Sequence, residues 1–260
     1  MWNIWITVAG IAFVFLMTTL GAAVVFFFKE EISKRLHTFF LGLASGVMIA
    51  AAIWSLLLPA LAQASTIWGV FAFFPVGVGI LLGGVFLILL DSVAPKWKEK
   101  HFGGEETGDK SARLFLAVTL HNIPEGLAVG FAFGAASVIG STAAFLSALG
   151  LAIGIGVQNF PEGAAISLPL KSVLKSNKKA FFWGAISGVA EPIFAVTGYF
   201  LAAYLLAWQP WFLSFAAGAM LFVAAEDLIP DAKSAACPYL GALGVLIGFV
   251  GMMTLDVALG

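Results

Sequence analysis

The chain is a succession of long apolar stretches separated by short polar breaks. A helix that crosses the hydrocarbon core of a bilayer needs about 20 apolar residues. Cutting the chain at its charged and turn-rich segments predicts eight such helices, at roughly 4–28, 37–62, 67–90, 113–136, 141–169, 180–206, 210–232 and 238–258. The breaks read KEEISKR, QAST, DSVAPKWKEKHFGGEETGDKSAR, ASVIGS, KSVLKSNKK, WQPW and KSAACP. The uncharged run from 36 to 90 is divided at PALAQAST, which predicts that span 2 ends there. Glycines recur at four-residue spacing, as in Gly42/Gly46, Gly79/Gly83, Gly126/Gly130, Gly150/Gly154, Gly184/Gly188 and Gly244/Gly248. Such small faces let helices approach closely in lipid.

Composition turns this pattern into a class. Of 260 residues, 61% are hydrophobic and only 10% charged, with a mean hydropathy of +1.03. Soluble domains are nearer about half apolar and about a quarter charged. The chain reads as an integral membrane protein, a single transmembrane domain over 1–260 with the lipid bilayer as its surroundings. A net charge of -1 gives no basis for a nucleic-acid partner. The single cysteine, Cys237, excludes an internal disulfide and a cysteine-based metal cage. No basic segment precedes the apolar stretch Trp2–Phe28, so it is expected to be a retained first span rather than a cleaved leader.

Charge supplies orientation. All 13 Lys and Arg fall in the loops after spans 1, 3, 5 and 7. Basic loops face the cytoplasm, which predicts both termini outside. The loop 91–112 is charged and glycine-rich and reads as a mobile cytoplasmic segment. His101 in that loop, and His37 at the start of span 2, carry no expected role.

The chemistry lies in the acids. Glu125, Glu162, Glu191, Glu226, Asp227, Asp231 and Asp256 fall within or at the ends of spans, and no Lys or Arg lies deep in any span. A carboxylate inside a membrane is costly, so it must be protonated, hydrated or paired with a bound cation. Counting about 1.5 Å per residue from Arg113, Lys171 and Lys179 puts Glu125, Glu162 and Glu191 about 18, 14 and 18 Å deep. That is close to the middle of a core about 30 Å thick. Asp256 and Asp231 are expected at the solvated ends of their spans.

Two of these acids sit in nearly the same word, HNIPEG at 121–126 and QNFPEG at 158–163, on adjacent antiparallel spans. Within span 4, His121 and Asn122 share a helix face with Glu125; Gln158 and Asn159 do the same with Glu162 on span 5. Pro124 and Pro161 remove a backbone donor in mid-span, and broken helices at the midplane point to transport sites. An imidazole with carboxylate and amide oxygens suits a borderline divalent ion such as Zn²⁺, Fe²⁺ or Mn²⁺, whereas Mg²⁺ or Ca²⁺ would not call for it. A weaker echo links GVMIAAAIWSLLLP in span 2 to GAMLFVAAEDLIP in span 7. Units five spans apart are necessarily inverted.

These words, together with AEP in span 6, EDLIPDA in span 7 and SGVMIAAAIWSLLLPAL in span 2, resemble the ZIP (Zrt/Irt-like) metal transporters and their GufA-like bacterial subgroup. The resemblance implies an all-α bundle of eight transmembrane helices in a 3+2+3 inverted repeat. Its first repeat would cover about 4–90, its central helices about 113–169 and its second repeat about 180–258. It also implies a metal centre between spans 4 and 5, elevator-like alternating access, a homodimer in many members, and residence in a bacterial inner membrane. The expected activity is transport of a divalent ion into the cytoplasm, zinc first and cadmium, iron or manganese besides. No enzymatic activity is expected. His121, Glu125 and Glu162 would form the main site, with Met48 offering a thioether. Asn122, Gln158, Asn159 and Glu191 would form or border a second, so that one or two ions are held. Glu226, Asp227 and Asp91 would line the exit. The chain has Gln158 and Asn159 where many relatives carry His or Asp, and Glu226 where they often carry His; its cytoplasmic loop lacks a His-rich stretch.

Two other classes fit parts of the pattern. An intramembrane metallohydrolase could use His121 and Glu125, but the chain has no HExxH and nothing like an activated nucleophile. A carrier of an organic substrate could use the acids as a proton relay.

Overall fold

The computed structural model describes residues 2–28, 33–93, 106–234 and 237–259, and these are almost entirely helical. Seven apolar helical stretches are long enough to cross a membrane: Ile4–Phe27, Lys34–Phe71, Asn122–Ile139, Thr142–Leu168, Asn177–Leu205, Gln209–Lys233 and Tyr239–Ala258. An eighth, Phe73–Leu89, is apolar but shorter. Large side chains such as Phe73, Leu81, Phe200 and Tyr204 are exposed on the outer faces, while alanines including Ala50, Ala51, Ala216 and Ala217 fill the interior. A surface so apolar is stable only in lipid. Residues 94–105 of the charged loop, with His101, lie outside the described residues.

Span 2 does not end at PALAQAST. Its helix runs from Lys34 to Ala51, widens into a π turn over Ala52–Leu57, and continues as Leu58–Trp68. In that turn the Leu58 amide donates to the Ile53 carbonyl, one residue further back than in an α-helix. Pro59 then falls at the start of a fresh helical stretch, where its missing N–H costs little. The true break is Gly69, whose φ of 54° places it in the left-handed region open to glycine. Span 7 repeats the device: a π turn over Ala224–Leu228, the Ile229 amide donating to Ala224, and Pro230 directly after.

Spans 4 and 5 are long helices, Glu106–Ile139 and Thr142–Leu174, that run through Pro124 and Pro161 without a break. They are joined by a tight turn in which Gly140 has φ 70° and the Ser141 side chain accepts from the Ala144 amide. Span 6 is interrupted instead. Asn177–Ser187 and Ala190–Leu205 are separated at Gly188 and Val189, whose amides reach back only three residues, to Ala185 and Ile186.

The most extensive helix contacts pair span 2 with 8, 4 with 6, 1 with 5 and 3 with 7. Every one of these interfaces has a glycine from each side pressed against a carbonyl of the other. Gly163 meets Thr18 and Gly21 meets Phe160; Gly126 meets Glu191 and Gly198 meets Leu127. Gly46 meets Val245 and Gly248 meets Leu43; Gly83 meets Phe215 and Gly218 meets Ile80. A methyl group at any of these positions would collide with backbone, so the small residues set the helix spacing. Of the glycines spaced by four, Gly154, Gly184 and Gly188 face side chains instead, and a Cβ at Gly150 would meet nothing within 4 Å.

Candidate metal centre

The site begins at the interruption of span 6. In a regular helix the Glu191 amide would donate to the Ser187 carbonyl; here it donates to Gly188 at 3.1 Å. The freed Ser187 carbonyl accepts from Asn122 Nδ2 of span 4 at 2.9 Å. Asn122 is thereby fixed, and Glu191 is left in the first turn of the second half-helix. That first turn favours negative charge. Gly126, the last residue of HNIPEG, lets span 4 approach close enough for this bond to form.

Around this junction Asn122, Glu125, Gln158, Asn159, Glu162 and Glu191 are all buried, none more than 3% exposed. Gln158 Nε2 donates to Glu125 Oε1, which joins the two PEG-bearing spans. Thr18 of span 1 donates to Glu191 Oε1 at 2.7 Å. The carboxylates of Glu125, Glu162 and Glu191 lie near enough to repel one another, and the Asn159 amide approaches Glu191. No described Lys or Arg contributes to the field at Glu125 or Glu191. Buried acids with no protein counter-charge are unfavourable by several kcal/mol unless a cation or protons join them.

The acceptor inventory points the same way. Asn122 Oδ1, Glu125 Oε2, Gln158 Oε1, Asn159 Oδ1 and Glu191 Oε2 are buried and accept no hydrogen bond from the described residues. Buried polar atoms are ordinarily satisfied. Five such oxygens on three neighbouring spans are of the chemical type that could hold a hard-to-borderline cation. His121 lies on span 4 one residue before Asn122, and its side chain is outside the described residues. Among the described residues no three of His, Cys, Asp and Glu converge as a ligand cluster; amide oxygens are outside that count.

The remaining expected residues are spread more widely. Met48 is buried in the main hydrophobic cluster. Glu226 is exposed and Asp227 half-buried, both on the π turn of span 7. Asp91 lies at the end of span 3, its side chain outside the described residues. Asp231 is exposed, as expected of a residue at a span end.

Asp256 is not the solvated terminus that its position near the chain end suggests. It is half-buried and accepts from Ser55 Oγ of span 2 at 2.6 Å. Both residues line a cavity of about 690 Å³ that also meets Gln63, Ser147 and Gln209. The π turn puts Ser55 on the inner face of span 2, and a helix long enough to carry Asp256 alongside it brings the two together. Thr18 is the other residue that the motifs did not point to; its signal was a polar pair, Thr18 and Thr19, in a first span whose one other polar residue is Thr7.

A helical bundle coated in apolar side chains, with acids and amides gathered inside it, defines a multi-pass membrane protein built around a polar centre. Residues 108–256 match the sequence profile of a family described as ZIP zinc transporter. The chain is similar to zinc transporter ZIP11 of Homo sapiens, 35% identical over 96% of both chains. It is 36% identical to zinc transporter GufA of Myxococcus xanthus over 94% of both chains. It is 34% identical to zinc transporter ZIPB of Bordetella bronchiseptica over 97% of this chain and 81% of that one. The chain belongs to the ZIP family, with GufA-like relatives, and that is a family of transporters rather than enzymes.

Proposed function

We propose that this protein carries divalent transition-metal ions, zinc foremost and cadmium, iron or manganese besides, across a bacterial inner membrane into the cytoplasm. The observation that carries the reading is the cluster of buried carboxylate and amide oxygens on spans 4, 5 and 6, in which no described Lys or Arg acts on Glu125 or Glu191. A divalent ion removes both costs at once: it neutralises the acids and satisfies the unused lone pairs. His121, Glu125 and Glu162 form the main site. Asn122, Gln158, Asn159 and Glu191 complete or border a second, so that the centre holds one or two ions, with Met48 of span 2 offering a thioether.

The architecture we propose is eight spans in a 3+2+3 inverted repeat with both termini outside, acting by elevator-type alternating access, singly or as a homodimer. Exchanging spans 1–3 with 6–8, and 4 with 5, turns the 1–5 contact into 6–4 and the 2–8 contact into 7–3. Those are the extensive pairs. The π turns of spans 2 and 7 follow Met48 and Met220 at matching places and precede Pro59 and Pro230. With the basic loops inside, the cavity at Ser55 and Asp256 opens outward and admits the ion. Glu226, Asp227 and Asp91 line its way to the cytoplasm. Gln158, neutral and able to turn its amide, offers Oε1 to the ion while its nitrogen keeps Glu125 in place.

The test is zinc-dependent uptake into liposomes containing the purified protein. Zinc flux in the wild type, lost in Glu125→Ala and Glu162→Ala, is the expected result. No flux, or undiminished flux in both variants, overturns the reading.

A further inference from the structure

Span 1 contributes a polar contact to the centre that none of the motifs foreshadows. Thr18 is fully buried at the crossing of spans 1, 5 and 6. Its carbonyl lies against Gly163 of QNFPEG, and its methyl Cγ2 would be 2.9 Å from a Cβ at Gly188. These two glycines let span 1 come close enough for Oγ1 to donate to Glu191 Oε1 at 2.7 Å. Among the described residues, the other acceptor offered to the hydroxyl is the Val14 carbonyl on its own helix, at 3.4 Å. A hydroxyl has one proton, and the shorter bond to a carboxylate is the stronger of the two.

We propose that Thr18 is a positioning residue for metal binding: it holds Oε1 of Glu191 from behind, which fixes the carboxylate and leaves Oε2 for the ion. The geometry of the Glu191 carboxylate favours this division of labour. Oε1 has Thr18; Oε2 is buried and accepts nothing from the described residues. Glu191 sits in the first turn of the half-helix Ala190–Leu205, directly after the interruption at Gly188 and Val189, and its long side chain has several rotamers open to it. A carboxylate on such a segment would otherwise spend ordering entropy each time it met an ion. When an ion takes both oxygens, the Thr18 hydroxyl turns to Val14 and remains satisfied. Thr18 thus offers a support that a cation at the same place could not, because a fixed positive charge would compete with the metal.

The inference rests on the proposed metal transport, and its test separates the two. Thr18→Val keeps the methyl that packs on Gly188 and removes the hydroxyl; Thr18→Ser does the reverse. Thr19→Val removes the neighbouring hydroxyl, which donates to Phe15 on its own helix at 3.0 Å. Zinc affinity is measured by titration calorimetry on the full-length protein in detergent, and uptake in liposomes gives KM and maximal rate. Thr18→Val is expected to weaken zinc affinity and raise KM about tenfold, as for the loss of a hydrogen bond to a charged group. The maximal rate should stay within about twofold, Thr18→Ser should restore affinity, and Thr19→Val should leave it unchanged. In a Glu191→Gln background Thr18→Val should have no further effect. Wild-type affinity in Thr18→Val overturns the inference. So does equal damage in Thr18→Ser, or effects of Thr18→Val and Glu191→Gln that multiply. Zinc binding without zinc flux overturns the transport reading and leaves the Thr18 comparison standing; absence of zinc binding overturns both.

Discussion

Glu125 shows what a single position in this bundle is asked to do. Its Oε1 is held by Gln158 and its Oε2 accepts nothing from the described residues, so the group is anchored on one side and available on the other. Glu125→Gln keeps the shape and loses the charge. It is expected to lower zinc uptake at least about tenfold while the protein still elutes as a monodisperse species, the usual size of effect for a lost ligand or its support. Asp256 calls for a different result. It lies in the cavity with Ser55, far along the chain from the PEG motifs, so Asp256→Asn should raise the KM for zinc several-fold. The number of ions bound per protein, measured by elemental analysis, should not change.

Among the elements, the polar centre depends on helices that are broken or widened at particular places. Pro59 and Pro230 follow π turns, and the interruption of span 6 frees the Ser187 carbonyl for Asn122. Glycine spacing then decides how near these helices come. Gly163→Ala would drive a Cβ into the Thr18 carbonyl, an overpacking that typically costs about 1–3 kcal/mol. A clear fall in the thermal unfolding midpoint in detergent is expected for it. Gly251→Ala, where a Cβ meets nothing within 4 Å, should leave the midpoint unchanged or raise it slightly. The positions of the spans were legible in the apolar runs. The end of span 2 was not, because a proline ordinarily stops a helix and only the local π turn accommodates it.

The whole molecule carries its own topology marker. Cys237 is the single cysteine, free and half-buried, four residues after Lys233 in the basic loop between spans 7 and 8. With the basic loops in the cytoplasm, a membrane-impermeant maleimide should label Cys237 in inverted vesicles or lysed cells and not in intact ones. Transport as a whole should also depend on protons. The proposed metal binding needs ionised carboxylates and, if His121 is a ligand, a neutral imidazole, whose ordinary pKa is about 6.5. Protons compete with the ion, so zinc uptake at fixed sub-saturating zinc should fall as the external pH is lowered from about 7 to about 5.

By itself the sequence determined that the chain lives in a membrane, roughly where its apolar helices lie, which loops are basic, and that HNIPEG and QNFPEG are two versions of one motif. All of these depend on composition, local period and short spacing, and a one-dimensional pattern carries them in full. Tertiary structure decided the pairings: Gln158 with Glu125, Thr18 with Glu191 and Ser55 with Asp256. The last two join residues 173 and 201 positions apart. A threonine in an apolar first span and an aspartate beside the chain end look incidental along the sequence. They gain a purpose only when close glycine contacts bring distant helices near enough for a hydroxyl to reach a carboxylate.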